Sequence, residues 1–257
     1  MKRFFVAAVL AFAIVGCADV YAQKAFKGIV KYQLSSSGAN AVQLQADQAN
    51  FELKVMGDKV YADAKASIFL TRSPLIKDVL VSDLTVSHCF DFSMLLAYLS
   101  SQGVELTSYQ GDGKIVQKHT YTQQDVDSLT IPVTEGFYME YVDGQTKKIA
   151  GMDCKLVKRH MFDGEGVDHP LDVWYTDEMG PKNNFLFFGV KGMPMEYVMD
   201  LGEGKAVTIS ASEVIKGKVK EVDFLLPAGY STIDEETMKA FGEELQEEMQ
   251  YLGGDDE

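Results

Sequence analysis

Apolar and polar residues alternate with a period of two in several stretches of this chain. Phe26, Gly28, Val30, Tyr32 and Leu34 alternate with Lys27, Lys31 and Gln33. Met195, Tyr197, Met199 and Leu201 alternate with Glu196 and Asp200, and Val207, Ile209 and Ala211 with Thr208, Ser210 and Ser212. A strand turns successive side chains to opposite faces, so each stretch predicts a strand with one buried and one wet face, as in antiparallel sheet. Gly57-Asp58, Gly111-Asp112-Gly113, Asp143-Gly144 and Asp163-Gly164-Glu165-Gly166 punctuate the pattern as turns. Asp143-Gly144 is the clearest of these and predicts a hairpin joining 137–142 to 148–156.

Two segments depart from this rhythm. Ser93 to Ser101 is continuously apolar, follows Asp91 as a cap and stops before Gly103, which predicts a short helix. From about 233 to 252, Met238, Phe241, Leu245, Met249 and Leu252 recur at steps of three and four, with glutamates on the remaining surface. Thr232 and Glu235 have capping-box spacing ahead of that helix. The expectation is a mainly β (α+β) domain over 23–257: a many-stranded sheet with two helices packed against it.

The first residues bear on compartment. Lys2 and Arg3 precede an apolar run from Phe4 to Val15 that Gly16 breaks, and Val20-Tyr21-Ala22 suits cleavage before Gln23. Residues 1–22 then read as a signal peptide and the mature chain as a soluble, exported, periplasmic protein. Ile14-Val15-Gly16-Cys17 offers a competing reading, a lipobox in which Cys17 is lipidated and tethers the protein to the outer membrane. The length of 16–22 favours the soluble form. No later apolar run reaches spanning length, so the mature chain reads as not integral to the membrane.

The chain of 257 residues carries a net charge of −14. Phosphate backbones and anionic lipid surfaces demand basic patches, so this balance argues against nucleic acid and against simple electrostatic docking on membranes. Much of the excess lies from Asp234 onward, where ten acidic residues face one lysine.

Candidate chemistry is sparse. Beyond the leader the cysteines are Cys89 and Cys154. In an oxidising compartment they either form a disulfide or remain two buried thiols that act as small hydrophobes. A nucleophilic role for Cys154 would need a base or positive field beyond the flanking Lys155 and Lys158. His160 and His169 bracket a loop with Asp163, Glu165 and Asp168, which reads as a polar hairpin tip; the spacing matches no metal pattern. Nucleophile elbows, phosphate-cradling glycine loops and zinc-protease helices are all absent, so no enzyme, cofactor or metal is expected. Twelve methionines permit an adaptable apolar lining, though they equally serve as core packing.

Several short motifs then suggest a family. They are Phe26-x-Gly28-x-Val30-x-Tyr32, Ile149-Ala150-Gly151-Met152-Asp153-Cys154-Lys155, Val173-Trp174-Tyr175-Thr176, Gly192-Met193-Pro194-Met195-Glu196, and Phe224-Leu225-Leu226-Pro227-Ala228-Gly229-Tyr230. In this order they resemble exported bacterial proteins of unknown function related to the LolA/LolB lipoprotein carriers. The resemblance implies a strongly curved antiparallel sheet, an unclosed barrel whose concave side is covered by helices and holds acyl chains. Pro227-x-Gly229 would close a last strand. The insert from Ser87 to Gly103 and the acidic helix after Ile233 depart from the minimal pattern. The function expected is non-enzymatic binding of a lipid or lipidated peptide, with Met94, Leu95, Tyr98 and Leu99 of the insert helix as lining residues. Two rivals stand beside it: an envelope assembly module that binds a protein partner without a cavity, and a hydrolase whose site is assembled from distant residues.

Overall fold

The alternating stretches condense into one sheet. The computed structural model describes residues 25–38, 49–180 and 189–253, so the leader and Cys17 lie outside the described residues. The strands are β1 (Lys27–Gly38), β2 (Asn50–Met56), β3 (Lys59–Ala62), β4 (Ile76–Ser82), β5 (Thr85–Asp91), β6 (Lys114–Thr120), β7 (Phe137–Ile149), β8 (Met152–Met161), β9 (Leu171–Thr176), β10 (Met193–Gly202), β11 (Lys205–Lys216) and β12 (Ser231–Thr232). The helices are α1 (Ala64–Thr71), α2 (Ser93–Ser101), α3 (Gln123–Ser128) and α4 (Glu235–Gly253), with a 3-10 turn at Glu221–Phe224.

The sheet order is β12-β6-β5-β4-β3-β2-β1-β11-β10-β9-β8-β7. It consists of two antiparallel meanders, β1 to β6 and β7 to β11, joined by the long β1–β11 pairing. Only β12 runs parallel to its neighbour, β6. The chain must therefore pass from β6, near one edge, to β7 at the other. Laid flat, these strands would stand roughly 48 Å apart at about 4.8 Å per strand. The connection is about sixteen residues long, but the Met139 N–H bonds to the Leu129 carbonyl at 2.7 Å, so the crossing is made by 121–129, which includes α3 and reaches on the order of 20 Å. A flat sheet is excluded. The sheet rolls, and β7 comes back against β11. This is the unclosed, curved, mainly antiparallel sheet that the sequence predicts.

Register defines the inner face. Val30, Leu53, Ala62 and Val79 are successive cross-strand partners, as are Val55, Val60, Val81 and Val86, and all are buried. Gly28 opens β1 where a Cβ would sit 2.2 Å from the Ile215 carbonyl oxygen, so only glycine allows that approach to β11. On the inner face Phe69 of α1 stacks on Phe51, centroids 5.6 Å apart, and Phe51 stacks on Tyr32 at 4.8 Å. Val126 of α3 is buried in the same core.

The two helices predicted from sequence form a second cluster at the β5–β6 end. Phe92, Leu99, Ile115, Phe241 and Leu245 are buried together there. Phe241 of α4 meets Phe92 edge-on at 5.1 Å, and Glu244 accepts hydrogen bonds from the backbone N–H groups of Thr107 (2.8 Å) and Ser108 (2.9 Å) and from both hydroxyls. These bonds hold the Glu244 carboxyl down to about 2.

Between β11 and β12 the chain crosses the opposite, outer face. Lys59 pairs with Glu221 at 2.9 Å and Lys54 with Asp223 at 3.8 Å, both lysines alternating with the inward-facing positions of their strands.

Four local expectations need correction. Asp143-Gly144 is not a hairpin turn: β7 continues through it as a bulge between Val142 and Thr146. The reversal falls at Ala150-Gly151, whose φ values of 49° and 82° give the left-handed two-residue turn that matches strand twist. Thr232 does not cap α4, because it is paired in β12; the Asp234 carboxylate instead takes the Thr237 N–H at 2.7 Å. Phe224–Leu226 is a 3-10 turn and extended strap, not a last strand before Pro227. Finally, α1 and α3 join the two helices expected. Asp63 caps α1 by accepting from Lys65 and Ala66, and Thr122 with Asp125 forms a capping box for α3.

Phe241→Ala is expected to weaken α4 docking by about 3–5 kcal/mol, read as lost hydrogen-exchange protection in α4 and α2 while β1–β3 stay protected. The depressed Glu244 pKa means that its latch contributes fully above the ordinary carboxyl value and is lost as pH falls toward about 2. Acid titration of α4 fluorescence or exchange should show that loss, and Glu244→Gln should remove it.

Candidate functional site

The rolled sheet leaves a groove of about 1050 Å³ at one end, between α1, the β8–β9 hairpin and the ends of β10 and β11. Its floor comes from register. Arg159 pairs with Leu171, Tyr197 with Val173, and Met199 with Val207, so Leu171, Met199 and Val207 stand in one inner row with Arg159 at its β8 end. Phe69 of α1 closes the opposite side. Around this floor Ile68 is 43% exposed, Met161 37% and Leu201 44%. Three large apolar side chains left in water around one depression single it out as the candidate site, where isolated exposed ones would not.

The hairpin wall is built by its acidic residues. Asp163 accepts from the N–H groups of Glu165 and Val167, both at 2.9 Å, and pairs with His169 at 2.8 Å. His160 lies between Asp168 (2.6 Å) and Glu140 (2.9 Å), with its ring stacked on Tyr138 at 4.5 Å. Burial works against the imidazolium, but the two carboxylates outweigh it and raise the His160 pKa above the ordinary value. The acidic loop is thus fastened to β7 and β8 through its histidines. Among the described residues no group of three or more His, Cys, Asp or Glu side chains gathers as a metal site.

Two arginines attend the groove. Arg72 lines it and caps the C-terminus of α1 in the left-handed conformation, φ 58°, its N–H bonded to the Ile68 carbonyl. Arg159 lies over the Phe137 ring at 4.8 Å. Burial, and then the charge of Arg72, press the Arg159 pKa down to about 10. A second, smaller depression of about 340 Å³ has Lys31, Glu52, Asp63 and Lys65 at its edge with Tyr32 and Phe51 beside them.

The residues singled out from sequence lie elsewhere. Leu99 is buried in the α2–α4 cluster and Leu95 packs against it, while Met94 is 87% and Tyr98 51% exposed; none of the four lines the groove. Cys89 on β5 and Cys154 on β8 are buried, free thiols. Burial pushes Cys89 up to about 12 and Cys154 up to about 11, so neither is a thiolate nucleophile. The groove was missed because α1 was missed. Its signal was Asp63 followed by eight residues free of Gly and Pro.

No protein-family model matches the chain, and no curated protein matches it. The chain is similar to several solved structures. One is MucB in complex with MucA(peri), at 11% identity and TM-score 0.27, covering 80% of this chain and 56% of that one. Another is a LolA superfamily protein from Nitrosomonas europaea, at 10% identity and TM-score 0.27, covering 79% and 93%. A third is an outer membrane lipoprotein-sorting protein domain from Vibrio parahaemolyticus, at 9% identity and TM-score 0.19, covering 79% and 92%. A LolA superfamily protein is thus among the structures this chain is similar to. No described helix is long and apolar enough to cross a membrane.

His160 is expected to titrate above 6.5 by NMR. Because the folded value is raised, the clamp stabilises fully below the unfolded pKa and is lost as pH rises through the folded one. Amide shifts across 162–170 should follow the same midpoint, and a Glu140→Gln/Asp168→Asn double variant should return it toward 6.5.

Proposed function

We propose that the chain is an exported, non-enzymatic envelope protein that holds a hydrophobic ligand, a lipid or lipidated peptide, in the groove between α1 and the β8–β9 hairpin. The observation that carries this reading is the apolar lining left open to water by Ile68, Met161 and Leu201 around the Met199–Val207 floor. The volume suits it: small-ligand sites run to roughly 1,000 Å³, and each sequestered methylene is worth about 0.8 kcal/mol. Eight methylenes would contribute roughly 6 kcal/mol before the cost of ordering the chain. The leader-like residues 1–22 fit export to a compartment where such ligands occur. In this reading the insert helix α2 supports α4 and does not line the site.

The neutral fluorophore N-phenylnaphthylamine should bind with one-to-one stoichiometry and be displaced by acyl chains. Leu201→Asp or Ile68→Asp, both at exposed positions, should weaken it at least tenfold with little change in Tm. Protein purified from native envelopes should carry lipid detectable by mass spectrometry. Lipid-free protein that also ignores the fluorophore would end this reading.

A further inference from the structure

We propose that the groove takes up its guest together with a proton on His160, so that a hydrophobic ligand is held more tightly when that imidazole is charged. This rests on the groove being a hydrophobic-ligand site and adds its regulation. His160 stands on β8 just ahead of Met161 and Phe162, which line the groove, and Asp168 lines it from the returning limb of the hairpin. The ring is bonded on both sides: Nδ1 lies 2.6 Å from Asp168 and Nε2 2.9 Å from Glu140 of β7. A neutral imidazole has one N–H, so it satisfies one of two carboxylates and turns a lone pair on the other. Two carboxylates on one ring is therefore the geometry of an imidazolium. One cross-strand row along, Glu140 is paired with Lys158 and Lys158 with Asp172, and the Tyr138 ring stacks on the imidazole.

The link from this ring to the guest is Asp168. A ligand seated against the hairpin wall takes water from that carboxylate, and an ionised group loses water at high cost unless a counter-charge stays beside it. The imidazolium is that counter-charge; a neutral imidazole leaves Asp168 a hydrogen bond and no more. The other carboxylate of the hairpin differs. Asp163 accepts from the backbone N–H groups of Glu165 and Val167 as well as pairing with His169, so its charge is met whatever the state of that imidazole. Glu140 does not line the groove, and its part is to help keep the proton on His160. Burial opposes that proton, but the two carboxylates outweigh it and raise His160 above its ordinary value. Tight binding therefore holds below the folded pKa and is lost as pH rises through it. The coupling is reciprocal: the factor by which the proton favours the ligand is the factor by which the ligand favours the proton.

The test measures the affinity of the full mature chain for N-phenylnaphthylamine between about pH 5.5 and about pH 9, where exposed carboxylates stay ionised. Affinity should fall roughly fivefold or more with rising pH, at the midpoint of the His160 titration followed by NMR. For a fivefold change, saturating fluorophore should raise that midpoint by about 0.7 of a pH unit. Glu140→Gln should move the affinity loss to lower pH while leaving the affinity at the acid end within about twofold, a response that damage to the groove would not give. Asp168→Asn should flatten the profile at its tight end and His160→Gln at its weak end. An affinity that stays flat or rises with pH overturns the coupling and leaves the hydrophobic-ligand reading standing. A fall that survives both Asp168→Asn and His160→Gln, or a midpoint that Glu140→Gln does not move, overturns the assignment to this cluster. A fluorophore that binds at no pH overturns the hydrophobic-ligand reading as well.

Discussion

The connection from β6 to β7 governs this molecule. Two meanders share the β1–β11 seam, and the chain has to pass from the free side of one to the free side of the other. Because 121–136 is too short to cross a flat sheet, the strands must roll, and rolling creates an inside. The inner valines of β2 to β5 and the methionines of β10 then face one another across a space that helices must fill. α3 lies within the crossing itself and buries Val126 in that core, so the segment that forces curvature also seals part of what it encloses.

The sealing is uneven. α2 and α4 close the β5–β6 end thoroughly, through five buried side chains and a carboxylate that collects four hydrogen bonds. α1 is shorter, buries only Ala66 and Ser67 fully, and stops at Arg72. The other wall there is a hairpin whose tip spends its hydrogen bonds on itself and whose histidines bond to carboxylates of the loop and of β7. The groove lies between the two walls, with Met199 and Val207 buried beneath it and Leu171 half-buried at its floor. The groove is what remains where the helical cover ends before the sheet does.

Much of this fold could be read from the period-two alternation, and the reasons for the misreadings are local. Strands with one wet face announce themselves, which is why β1, β10 and β11 were legible. Asp143-Gly144 misled because a bulge and a tight turn use the same residues; only the pairing of Val142 with Leu156 and Thr146 with Lys155 tells them apart. Ala150-Gly151, within one of the family-like motifs, is the turn itself. The insert helix drew attention to Met94 and Tyr98 because it is continuously apolar, yet its buried partner, Phe241, lies some 140 residues away along the chain. α1 was invisible for the opposite reason: it is brief and weakly amphipathic, and its helical state rests on the Asp63 cap and on Phe51 beneath it. A groove defined by long-range register leaves no motif in sequence.

Arg72 shows how such a site departs from what folding alone would select. A helix end in the left-handed region favours glycine, and a residue with a Cβ there costs on the order of 1 kcal/mol. Its positive charge gains something from the helix dipole, but a lysine or arginine one turn earlier would gain the same without the backbone cost. At Arg72 the left-handed turn instead ends α1 at the groove, which Arg72 lines together with Ile68 and Phe69. The residue that makes the end of α1 less stable than it could be is therefore one that stands where the helical wall of the groove stops.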